Sequence, residues 1–133
     1  MSVNGIKREY EFSEPVSAAW DDAHVITPDG WERMKKGVQP REMEDRWIVA
    51  HEVEDNGDDA ILFVRSWTGF PVAKVTVVPA GDDGMSRRVT KITWEGDDSR
   101  WRADDKESQA KNDVAMLSRS FFQVSMSSEQ ASD

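Results

Sequence analysis

Two short strings place the same chemistry at two points of the chain. MEDRW (Met43 to Trp47) carries Glu44, Asp45, Arg46 and Trp47, and RSWTG (Arg65 to Gly69) carries Arg65, Trp67 and Thr68. Arginine offers a planar fork that meets a carboxylate or phosphate through two hydrogen bonds, and tryptophan offers a flat apolar wall for a ring. Together they suit an anionic ligand that carries a ring, a nucleotide for example. The same residues also suit a purely structural role, with Arg46 or Arg65 neutralising Glu44 or Asp45 and the tryptophans packed in the core. Either role requires the fold to bring together segments about twenty residues apart.

The elements between them do so. Arg46 to Val53 and Ala60 to Trp67 are rich in β-branched and aromatic residues, and the EDNGDD segment between them holds an Asn-Gly turn signal. Antiparallel pairing across that turn sets Arg46 and Trp47 opposite Ser66 and Trp67, to within a residue or two. The next turn, Thr68 to Pro71, lies at the same end. Glu44, Asp45, Arg46, Trp47, Arg65, Trp67 and Thr68 are therefore the candidate ligand-binding residues.

Two more strands extend the hairpin. Val72 to Val78 alternates Ala73, Val75 and Val77 against Lys74 and Thr76, and Arg88 to Trp94 sets Thr90, Ile92 and Trp94 on one face. Residues 7 to 13 (KREYEFS) pass as a first strand around Tyr10 and Phe12. A short helix is bounded by Thr27 as cap, Pro28 in the first helical position and Gly37 as stop, with Trp31 and Met34 on one face. A longer helix runs from near Asp104 to about Gln123, with Ala110, Val114, Leu117, Phe121 and Val124 forming an apolar stripe. The expectation is an α+β fold: an antiparallel meander of four to five strands packed against a C-terminal amphipathic helix, with one short N-terminal helix. One domain spans residues 1–124, and residues 125–133 read as a disordered polar tail.

Other chemistry has little support. The 133 residues include no cysteine, which excludes disulfides, thiolate metal sites and cysteine nucleophiles. His24 and His51 stand apart with no metal-ligand spacing, no G-x-S-x-G string occurs, and the Asp-rich turns lack the EF-hand register. Neither a catalytic residue, a metal nor a cofactor is expected. A net charge of −9, from 26 acidic against 17 basic residues, argues against nucleic acid and anionic membranes as partners. No apolar run approaches the roughly 20 residues of a membrane span, so the expected location is the cytoplasm.

MEDRW and RSWTG, with the downstream Asp104, Asp105 and the helix from Ala110 to Phe122, resemble a group of small bacterial proteins to which no activity is attached. The resemblance spans about two thirds of the chain. It implies no reaction, and it points to Glu44, Asp45, Arg46, Trp47, Arg65, Trp67 and Gly69.

Three functions from different classes compete. One is a non-catalytic binding or interaction domain that takes a small anionic or aromatic ligand at the Arg46/Trp47/Arg65/Trp67 edge. The second is an acidic inhibitor or immunity-type protein whose charge steers a basic partner such as a nuclease. The third is a small hydrolase or transferase with Glu44 or Asp45 as base and Arg65 holding an anion.

Overall fold

A computed structural model describes residues 10–20, 25–39, 46–81 and 84–124. In chain order the elements are β1 (Pro15–Ala19), β2 (Val25–Ile26), α1 (Pro28–Lys36), β3 (Trp47–Val53), β4 (Asp59–Arg65), β5 (Pro71–Ala80), β6 (Ser86–Glu95) and α2 (Lys106–Phe122). The sheet is antiparallel throughout, in the order β1-β6-β5-β4-β3, and β2 pairs with β6 on the same edge as β1. Among the described residues, six strands and two helices make the expected α+β fold, with the four meander strands where the alternation of residue types put them.

The sheet is amphipathic because its strands alternate. Val49, Ile61, Phe63, Val75, Val77, Ile92 and Trp94 join one core with Trp31 and Met34 of α1 and Val114, Leu117 and Phe122 of α2. Both helices therefore cover one face. On the other face a smaller cluster of Ile48, Leu62 and Val64 packs under Tyr10.

The helix boundaries follow local chemistry. Thr27 Oγ1 accepts from Gly30 N at 3.1 Å, and Pro28 opens α1. Gly37 ends it at φ +72°, and its backbone runs so close to the Val49 carbonyl oxygen that a Cβ would collide with it. Val38 then pairs with Val49 through 2.9 Å and 3.0 Å hydrogen bonds, so the chain leaving α1 docks on the outer edge of β3. Asp105 caps α2 by accepting from Ser108 N at 3.1 Å.

Several expectations need correction. Residues 10–13 are not a strand, and residues 7–9 lie outside the described residues; among the described residues the strand at this edge is β1, beginning at Pro15. Proline lacks the donor a central strand needs, so it starts an edge strand without loss. Thr90 does not share the Ile92 and Trp94 face, because the β5–β6 register shifts between Thr76 and Val77, and Val89 takes the core position. Phe121 is 36 % exposed whereas Phe122 is 3 % exposed, so the buried stripe of α2 follows steps of four through Ala110, Val114, Ser118 and Phe122. The proposed tail, residues 125–133, lies outside the described residues. Among those described, no helix is long and apolar enough to cross a membrane.

Candidate functional site

Trp47 and Arg65 are directly opposed in the β3–β4 pairing, and Ser66 N donates to Arg46 O at 2.9 Å. This places Arg46, Trp47, Arg65, Trp67 and Thr68 at one end of the sheet, as the hairpin geometry requires. Glu44 and Asp45 lie outside the described residues, as does His24. The Arg65 guanidinium sits over the Trp47 ring at 4.9 Å, which orients the fork while leaving it solvent-facing. A tight turn follows. Gly69 N donates to Arg65 O at 2.8 Å, Arg65 N donates to Phe70 O at 3.0 Å, and Phe70 N donates to Thr68 Oγ1 at 3.1 Å. Gly69 at φ +74° allows that reversal, and the turn pushes Trp67 into solvent at 77 % exposure.

A third segment, between β6 and α2, completes the site. Asp97 O accepts from Arg100 N at 3.0 Å and from Trp101 N at 3.1 Å, folding the connection back on itself. Ser99 donates to the Asp97 carboxylate through its hydroxyl at 2.7 Å and its amide at 2.9 Å, and these bonds hold the Asp97 carboxyl below its ordinary range. Trp101 is buried in the core. Its burial fixes the flanking Arg100 and Arg102. Arg100 lies over the Phe70 ring at 4.2 Å and donates to Glu11 O at 3.2 Å.

The three segments enclose a groove. One part, about 510 Å³, is lined by Arg46, Arg65, Trp67, Thr68, Arg100, Trp101 and Arg102. The other, about 720 Å³, shares Arg46, Arg65, Trp101 and Arg102, adds Trp47, and is walled by the α2 residues Ser108, Gln109, Asn112, Asp113 and Met116. Both volumes fall in the range of small-molecule sites. Arg100, Trp101 and Arg102 were not among the residues expected from sequence, although the string Arg-Trp-Arg repeats the pairing of residue types that singled out the other two segments.

Electrostatically the sheet end of the groove is cationic, while Asp104, Asp105 and Asp113 line the α2 part. Among the described residues, Arg100 alone of its four arginines has a carboxylate within salt-bridge reach, Glu95 Oε1 at 4.0 Å. A third cavity, about 560 Å³ on the opposite face of the sheet, contrasts with it. There Lys74 lies between Glu54 at 2.9 Å and Glu52 at 3.5 Å, so its charge is already matched by carboxylates.

At the α2 end of the groove, burial raises the Asp113 carboxyl above its ordinary value, against a 2.8 Å hydrogen bond from Gln109 Nε2 and the charge of Arg65. A carboxyl raised above its unfolded value of about 3.9 binds its proton more tightly when folded. Its contribution to stability therefore falls as pH rises from about 4 and stays lower at neutrality. Asp113→Asn is expected to raise the melting temperature at pH 7, with the difference vanishing near pH 3. A lower melting temperature at pH 7 contradicts this reading.

Fold and site together define an α+β domain with an arginine- and tryptophan-lined groove at one end of its sheet. No protein-family model, no curated protein and no solved structure matches the chain.

Proposed function

We propose that this protein is a non-catalytic binding domain whose groove takes a small anionic ligand carrying an aromatic ring. The observation that supports it is the gathering of Arg46, Arg65 and Arg102 beside Trp67 and Trp101, with no salt bridge to any of the three among the described residues. The guanidiniums gathered at the sheet end repel each other, and an anion placed there relieves that repulsion. Guanidinium forks supply paired hydrogen bonds to a phosphate or carboxylate, and the exposed Trp67 indole supplies area for a ring.

Arg65→Ala separates this role from a structural one. Arg65 is exposed, its guanidinium lies over the Trp47 ring, and its charge acts on Asp113 only from beyond salt-bridge reach, so its loss should change stability by no more than about 1 kcal/mol. Affinity for an anion should fall about tenfold or more, the usual effect of removing a charged hydrogen-bond partner. The check is a thermal-shift titration with nucleotides and aromatic acids, in which ligand raises the wild-type melting temperature and raises it further with concentration. If Arg65→Ala unfolds the protein and the panel leaves the wild type unmoved, the groove is structural. The −9 charge then favours the inhibitor reading, marked by association with a basic protein that slows steeply with added salt.

A further inference from the structure

The groove has two ends of different chemistry. The sheet end is cationic, whereas the α2 end presents Asp104 and Asp105 at the start of the helix and, along its body, the Asp113 carboxylate and the Asn112 and Gln109 amides. Arg65 and the Trp47 ring beneath it belong to the α2 part, and Arg65 is shared with the cationic part. The stacked indole and guanidinium make a platform of the kind on which nucleobases lie.

Asp113 decides what the far end selects. Its side chain is half-buried, Oδ1 accepts from Gln109 Nε2 at 2.8 Å, and among the described residues Oδ2 takes no hydrogen bond and no cation lies within salt-bridge reach. A carboxylate is acceptor-only, so its remaining lone pairs call for an N–H and repel a carbonyl. The volumes of about 720 and 510 Å³ leave room for a base with its sugar at one end and phosphate at the other.

We infer that the groove takes a nucleoside phosphate whose base bears an exocyclic amino group, with the phosphate at Arg46 and Arg102, the base on the Arg65–Trp47 pair and the amino group donating to Asp113. This rests on the anion-binding reading above and adds the identity of the ring. Asp113 acts here as a specificity residue, and discrimination follows when a bound ligand covers this half-buried acceptor and leaves it facing a carbonyl.

The test is calorimetric titration of the full chain with AMP against IMP and CMP against UMP, with inorganic pyrophosphate as the anion alone. Within each pair the compared bases carry an amino or a carbonyl group at the same ring position. AMP and CMP should bind at least about tenfold more tightly than their partners. In Asp113→Asn, whose amide both donates and accepts, that ratio should shrink towards one. Equal wild-type affinities for AMP and IMP, both lost in Arg65→Ala, overturn the amino-group inference and leave the groove an anion site. Binding of pyrophosphate without any nucleotide also overturns it. Binding of none of the five overturns both readings. Should Asp113→Asn fail to fold, the wild-type AMP and IMP comparison decides alone.

Discussion

Glu95→Ala is expected to destabilise the fold by about 3 to 5 kcal/mol, the cost of breaking a buried charged network by removing one partner. Glu95 is fully buried at the end of β6. A carboxylate leaves water at high cost unless its lone pairs are met, and here Ser13 N donates to Oε1 at 2.9 Å while Glu14 N and Asp97 N donate to Oε2 at 2.8 and 3.1 Å. The Arg100 guanidinium adds charge at 4.0 Å. Truncation strands three amides that the carboxylate satisfies, and each stranded donor costs about 1 to 3 kcal/mol. It also loosens the segment that enters β1, which loses its bonds from Ser13 N and Glu14 N and keeps the backbone bond from Gly96 N to Glu14 O at 2.7 Å. Chemical denaturation should show a lower midpoint at unchanged slope. Glu95→Gln keeps the shape and one acceptor oxygen, so it should fall between wild type and Glu95→Ala. A midpoint unmoved by Glu95→Ala would mean that water replaces the carboxylate without loss. Arg100 lines the groove, so the same variant should weaken ligand binding by releasing that arginine from its place over Phe70.

What sequence made legible, and what it did not, divides along the range of the interactions involved. Thr27, Pro28 and Gly37 bound α1 through contacts within a few residues, so their types were enough. The convergence of Trp47 and Arg65 at one end of the hairpin was also legible, but the register was not: Trp47 pairs with Arg65 rather than with Ser66 or Trp67, because Val53 pairs with Asp59 and not with Ala60. β1 escaped detection because its sequence, PVSAA, carries no alternation and four of its five residues are exposed. Its position depends on pairing with β6 about eighty residues later and on Glu95 capturing Ser13 and Glu14. Arg100 and Arg102 were missed for a related reason. The connection they occupy reads as a polar loop, and only the burial of Trp101 against distant strands turns its arginines into the groove. Thr90 was misplaced by one residue because a bulge shifts the register without altering composition.

Phe122→Ala is expected to destabilise by about 3 to 5 kcal/mol and Phe121→Ala by less than about 1 kcal/mol, although the two phenylalanines are adjacent. Steps of four and three from Ala110 lead to Phe121, but the ridge that meets the sheet follows steps of four and reaches Phe122. Phe122 lies in the main core, and its carbonyl accepts from Arg33 Nε at 2.8 Å, which ties the end of α2 to α1. Phe121 packs edge-on against Phe122 at 6.0 Å and keeps 36 % of its surface in solvent. Just beyond, Gln123 takes the left-handed conformation at φ 56°, with Gln123 N donating to Arg119 O at 3.1 Å and Val124 N to Ser118 O at 3.2 Å. That reversal buries Val124 off the helix axis, close enough to Gly30 that a Cβ there would lie 3.0 Å from Val124 Cγ2. Val124 therefore owes its burial to the cap rather than to the helical period that linked it with Phe121. Equal midpoint shifts for the two alanine variants would place both rings in the core and contradict the packing of α2 described above; a shift confined to Phe122→Ala supports it.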